Sequence, residues 1–265
     1  MRERKKIVLC ELCQNHIADK KNSHIIPKFL GRRLFSEISP RHIISISPSG
    51  RTEKKQDTYK ENFLLCTKCE RRFEVIETLI ARQLDKLRNY NNFPEEYLLR
   101  CFQKQEFIEC LKLKPKLIIL FLYSIIWRIS VSKGDAFKNF KLDNQTESEL
   151  RLSLNQVLSA SSEQLDRLID SLQVKDTYTI CLIKAKDNNG ETRGLQTSMK
   201  LSEDLYHIYL NDYFIVFYTS TRAVEIPHKL FSLSNNSRVL IPLANLEQWK
   251  GLMDLIKEEI KNKGT

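Results

Sequence analysis

Hydrophobic positions change their period along the chain. Before residue 70 they come in short, irregular pieces. Ile43–Ser47 (IISIS) reads as a strand ending in a Pro48-Ser49-Gly50 turn, and Asn62–Leu65 runs apolar into Cys66. From Glu70 to about Tyr90 the period becomes helical: Phe73, Ile76, Ile80, Leu84 and Leu87 recur at steps of three and four. Glu70, Glu74 and Glu77 fall together at the edge of that stripe, where acids also suit the N-terminal end of the helix dipole. After Pro94, helical patterns are expected over Glu95–Leu111, Lys116–Ser132, Glu147–Leu158 and Glu163–Leu172. Strands are then expected at Tyr178–Ala185, Leu205–Leu210, Tyr213–Thr219 and Arg238–Leu243, with turns at Asn189-Gly190 and Asn211-Asp212. Asn245 and Gln248 form a capping box for a last helix, with Trp249, Leu252, Leu255 and Ile256 on its inner face.

Helices first and hairpin-linked strands later predict an α+β chain with a mostly antiparallel sheet and a C-terminal helix. The change of character near residues 75–90 suggests two units. One covers 1–90; the other, 91–265, is an α+β accessory domain with helices in 95–172, strands in 178–243 and a helix over 245–262.

The most apolar run, Leu117–Val131 (LIILFLYSIIWRISV), is too short to span a membrane, which needs about 20 residues. It is expected to be a buried core helix. Arg128 inside it must then find an acidic or carbonyl partner, because an unpaired buried guanidinium is costly. Apolar residues make up 42% of the chain and charged residues 29%, enough for a core and against disorder. The MRERKK start is followed by only three apolar residues before Cys10, so no signal peptide is expected and the reading is cytoplasmic.

Charge is uneven. The net charge is +10, and residues 1–75 hold 17 of the 43 basic residues but only 9 of the 33 acidic ones. A basic surface is thus concentrated on the first module, the footprint of phosphate binding. Lys28, Arg32, Arg33, Arg51, Lys54, Lys55, Arg71 and Arg72 are the expected contacts as a set, and DNA the expected partner.

Four of the seven cysteines fall in two pairs, Cys10-x-x-Cys13 and Cys66-x-x-Cys69. Paired twice in one module, they read as four thiolate ligands of a structural zinc ion. His16 is an alternative fourth ligand. Cys101, Cys110 and Cys181 are expected to be small buried residues.

Between the pairs stand Ser23-His24-Ile25-Ile26-Pro27 and Glu61-Asn62-Phe63-Leu64-Leu65. The order CxxC, SHIIP, an Asn-bearing segment and LLCxxC leading into a helix resembles the HNH endonuclease family, over about residues 8–80. The resemblance implies a ββα-metal fold on a treble-clef zinc module. It implies His24 as the general base that activates water, with Asn62 at the site, and a Mg²⁺ or Mn²⁺ ion at the scissile phosphate. By analogy it suggests an effector of phage or plasmid defence, whose C-terminal part binds a protein partner or regulator.

The sequence departs from that pattern at three points. Ser23 precedes the base where the family has an Asp or His ligand. Glu70 and Glu74 occupy the ligand positions on the helix, and their carboxylates suit a hard ion. Glu61 stands where the family's Asn usually is, with Asn62 one residue on; Asp57 is a further possible ligand on the same hairpin. A second reading follows from these departures: a non-catalytic zinc-knuckle adaptor binding nucleic acid or a protein.

Overall fold

A computed structural model describes residues 8–31, 43–46, 52–157, 161–186, 196–222 and 224–263. The expected turns at Pro48-Ser49-Gly50 and Asn189-Gly190 lie outside them. Among the described residues the chain is α+β, with seven α-helices and one seven-stranded, mostly antiparallel sheet.

The N-terminal module is built from short pieces. Leu9 and Ile17 bridge across the first cysteine pair. Strand β1 (Ser23–His24) is followed by α1 (Lys28–Gly31), and β2 (Ile43–Ile46) pairs antiparallel with β3 (Thr52–Lys55). Strand β4 (Lys60–Glu61) returns to β1, placing Ser23 opposite Glu61 and His24 opposite Lys60. Helix α2 (Thr67–Arg88) then begins beside the second cysteine pair. Knuckle, β2–β3 hairpin and helix follow in that order along the chain. The stripe residues Phe73, Ile76, Ile80, Leu84 and Leu87 are all buried, as the helical period predicts.

Glu95–Leu111 corrects the sequence expectation. This segment is a β-hairpin, β5 (Tyr97–Phe102) and β6 (Gln105–Cys110), rather than a helix. Its turn is made by Gln103 (φ 46°) and Lys104 (φ 68°), left-handed conformations without a glycine to announce them. Cys101, expected to be buried, is exposed on β5, while Cys110 and Cys181 are buried.

Helix α3 (Pro115–Val131) is the centre of the molecule: every residue from Leu117 to Ser130 is buried. Proline at its first position fits a helix start. Helices α4 (Asn144–Asn155) and α5 (Ser162–Leu168) follow, α4 capped by the Asp143 carboxylate on Thr146 N–H at 2.9 Å. The remaining strands are β7 (Thr179–Ala185), β8 (Gln196–Lys200), β9 (Leu205–Leu210), β10 (Tyr213–Tyr218) and β11 (Val239–Ala244). The sheet order is β5-β6-β11-β7-β10-β9-β8, and only the β11–β7 pairing is parallel.

The period-two pattern of β9 and β10 sorts two faces. Tyr206, Ile208, Ile215 and Phe217 join the core that contains α3, and Tyr209, Phe214, Val216 and Tyr218 join a smaller cluster on the other side. That cluster is closed by Phe231, just after α6 (Ile226–Leu230), and by Trp249 of α7 (Leu246–Lys263). The predicted capping box is present: Asn245 N–H donates to Gln248 Oε1 at 2.9 Å and Gln248 N–H to Asn245 Oδ1 at 2.9 Å. Leu255, expected on the inner face, is 56% exposed. The larger core is continuous from Cys10 to Leu243, so the zinc-type module and the sheet are packed through α3.

Candidate metal centre and candidate active site

The knuckle is closed by its own backbone: Cys10 N–H donates to His16 O and Gln14 N–H to Cys10 O, both at 2.8 Å, with Gln14 left-handed at φ 56°. Glu11 N–H donates to Leu64 O and Lys20 N–H to Leu65 O, which carries the knuckle to the start of α2. Cys66, the residue before α2, makes no side-chain cap. Asp19 supplies one from across the module, its carboxylate accepting from Thr67 N–H at 2.7 Å and Thr67 O–H at 3.1 Å. These bonds hold the Asp19 carboxyl below the usual range.

The result is that the sulfurs of Cys10, Cys13, Cys66 and Cys69 all lie within 4.8 Å of one another. Cys13 Sγ and Cys66 Sγ are 3.9 Å apart. A tetrahedron with metal–sulfur bonds of about 2.3 Å has edges of about 3.8 Å, so the donor set fits a tetrahedral ion such as zinc. The electrostatics agree. A hydrogen bond from Cys69, with others from the Cys13, Cys66 and Leu12 N–H groups, pulls the Cys10 thiol down to about 4 despite its burial. Burial, with the Cys10 charge behind it, pushes Cys66 upward, and the hydrogen bond to Cys10 followed by burial pushes Cys69 upward. Four thiolates together therefore need a cation. His16 Nδ1 sits 3.5 Å from Cys13 Sγ, beside the four-sulfur group rather than in it.

The second group of predicted residues gathers at the β1–β4 pair. His24 Nε2 lies 3.5 Å from Asp57 Oδ1, and Lys60 Nζ lies 2.5 Å from Asp57 Oδ2. Nε2 is buried and has no hydrogen-bond partner at bonding distance. Burial is the main reason the His24 pKa falls below its ordinary value; Lys60 and Lys28 push the same way and Asp57 opposes them. His24 is therefore a neutral imidazole near pH 7.

Ser23 is fully buried and its hydroxyl donates to Glu70 Oε2 at 2.9 Å. The residue before the histidine and the first helix carboxylate are thus joined to each other. Glu74, one turn on, is exposed and 3.9 Å from Lys20 Nζ. The charges of Glu70 and Glu74 both raise the Glu77 pKa, after its burial, so the three carboxylates share one field. Among the described residues, the four cysteines are the only set of three or more His, Cys, Asp or Glu side chains placed to hold an ion.

Asn62 Oδ1 accepts from the Asn22 N–H at 2.8 Å, closing one end of the β1–β4 pair beside Ser23-His24. Glu61 points elsewhere and accepts from the Ser132 hydroxyl at 2.6 Å and Lys133 N–H at 3.2 Å. Of the basic set, Lys28, Lys54 and Arg71 are exposed, and Lys55 pairs with Glu53 at 3.6 Å. Arg72 is tied to Asn155 at 3.3 Å. Arg32, Arg33 and Arg51 lie outside the described residues. Lys60 was not singled out from the sequence; its position three residues after Asp57 was the only signal.

Comparison with family models, with curated proteins and with solved structures finds no match to this chain.

Proposed function

We propose that this chain is a metal-dependent endonuclease of HNH type that cleaves DNA phosphodiester bonds. The observation that carries the reading is the His24–Asp57–Lys60 arrangement at the two-stranded β1–β4 sheet, which is joined through Ser23 and Glu70 to the helix that begins at the second cysteine pair. With Nε2 turned to Asp57, the tautomer protonated there is favoured, leaving Nδ1 to take a proton from water. Lys60 balances the Asp57 charge, so Asp57 orients the ring without holding it protonated. A neutral, oriented imidazole is the base that phosphodiester hydrolysis at neutral pH requires.

Glu70 and Glu74 are the residues that would hold a divalent ion. Two carboxylates on one helix face suffice for Mg²⁺ or Mn²⁺ when phosphate and water complete the shell. The chemistry such an ion supplies is neutralisation of charge on the scissile phosphate and the leaving oxygen. Lys28, Lys54, Lys55 and Arg71 would contact the backbone phosphates on either side. A role in phage or plasmid defence in the cytoplasm rests on analogy with the family.

The Ser23–Glu70 hydrogen bond favours a second reading, because it occupies a carboxylate the first reading needs. On that reading the module is a zinc-knuckle adaptor for nucleic acid or a protein. The deciding experiment is cleavage of plasmid and linear DNA with Mg²⁺, Mn²⁺ or EDTA, wild type beside His24→Ala. The nuclease predicts metal-dependent cutting by wild type alone, plus a weak exchangeable divalent ion besides zinc. The adaptor predicts zinc alone and no cutting by either protein.

A further inference from the structure

Arg128 lies in the middle of α3, 104 residues from His24 in sequence, and is 2% exposed. Its Nη1 donates to the His24 carbonyl at 2.9 Å and its Nη2 to Glu77 Oε1 at 2.8 Å. Its Nε donates to Ser124 O at 3.0 Å, and its guanidinium lies 4.9 Å from the centre of the Phe73 ring. Burying a guanidinium costs several kcal/mol unless it is paired and hydrogen-bonded, and a Leu or Met in α3 would avoid that cost. A helix this apolar keeps its one buried charge at the point where it meets the carbonyl of the candidate base.

From these contacts we infer that Arg128 is a positioning residue for His24, through which α3 fixes the base. The inference rests on the nuclease reading for its functional meaning, but the contact itself does not. His24 ends a strand of only two residues, β1, whose pairing with β4 alone is a weak anchor. Past it, Ile25 N–H donates to Tyr59 O at 3.2 Å, and Pro27 has no N–H to give. The His24–Ile25 peptide plane is thus held by Tyr59 at its N–H and by Arg128 at its carbonyl, and that plane sets where the imidazole meets Asp57. Only an arginine can hold the carbonyl, Glu77 and the Ser124 carbonyl at once, because its donors form a rigid fork. Glu77 acts as counter-charge: burial raises its pKa, and Arg128 opposes the rise.

The test is amide hydrogen exchange on the full chain, comparing wild type with Arg128→Lys and the double variant Arg128→Met/Glu77→Gln. The double variant removes the charge pair as a unit, so the fold should hold. The expected result is exchange at Ile25 about tenfold faster or more in Arg128→Lys and in the double variant, with the α3 amides unchanged in both. Wild-type protection at Ile25 in the double variant would overturn the inference. So would equal loosening of the α3 amides, since Arg128 would then serve the core and not the base. If wild type cleaves DNA, kcat should fall about tenfold or more in Arg128→Lys with DNA affinity kept; a fall in affinity alone would count against positioning. If wild type never cleaves, the exchange pattern still decides the inference while the nuclease reading fails separately.

Discussion

The two halves of this molecule are held by different physics. The sheet and α3 are held by apolar burial: α3 hides fourteen consecutive residues, and β10 is buried at all six positions. The N-terminal module has two-residue strands, a four-residue helix and a knuckle closed by a few backbone bonds. Such pieces bury too little to fold on their own, and four clustered sulfurs supply what is missing once a cation joins them. The module then borrows rigidity from its neighbour. The Leu12 carbonyl, inside the knuckle, accepts from Asn155 of α4 at 2.8 Å, and the His24 carbonyl accepts from Arg128. The candidate chemistry sits on the half that is stabilised from outside, where small displacements are easiest to make and to control.

The largest effect should come from breaking this difference at its root. Removing the ion with a strong chelator, or Cys66→Ser, should unfold the module while the sheet keeps its structure. Structural zinc contributes an apparent 10 kcal/mol or more in small zinc domains. The check is hydrogen exchange by segment: protection lost over residues 8–31 and 52–66 and retained over β7, β9 and β10. Loss everywhere at once would show that the two halves stand or fall together.

Next in size is His24→Ala. On the proposed function it should lower DNA cleavage by roughly 10²- to 10⁴-fold, the range for a general base, at wild-type zinc content and thermal stability. A variant that cuts as fast as wild type would remove His24 from the site.

Acid should strike the other half. Burial, helped by the charge of His228, pushes His207 on β9 down to about 4. The unfolded value is near 6.5, so between the two the native chain binds fewer protons than the unfolded one. The contribution is full above pH 6.5 and is lost as pH falls toward 4, a span of about 3 kcal/mol as an order of magnitude. Denaturant titrations at pH 7 and pH 4.5 should show the loss, and His207→Leu should reduce it. Most of the slope persisting in that variant would shift the cause to other groups, His228 and His24 first, since burial lowers both.

What could be read in the sequence follows the same division. The cysteine spacing, the α2 stripe, the α3 run and strands β9 and β10 were all legible, because each is a local pattern with a strong period. Arg128 was legible as a residue needing a partner, but not which partner, since His24 and Glu77 lie 104 and 51 residues away. The β5–β6 hairpin carries no local strand signal because its outer residues, Leu99 to Phe102, are exposed and do not alternate, and its turn uses Gln103 and Lys104 in place of Asn-Gly. Strand β8, Gln-Thr-Ser-Met-Lys at the sheet edge, carries almost no apolar signal. Ser23 read as a missing metal ligand; its hydrogen bond to Glu70 depends on β1 crossing the start of α2, which local sequence does not encode.

The smallest predicted effect concerns a feature legible in full. Asn245→Ala removes both an acceptor for Gln248 N–H and the preferred cap of α7. Caps of this kind contribute about 1 kcal/mol, so the melting temperature should fall by roughly 2–4 °C in a chain of this size. The loss belongs to the far face of the sheet, where Trp249 closes the smaller cluster, while Cys10, Cys66 and Cys69 belong to the larger core. Zinc affinity and any DNA cleavage should therefore be unchanged at temperatures below the transition. If cleavage falls together with this cap, the two halves are coupled through the sheet as well as through α3, and Arg128 is then one of several routes between them.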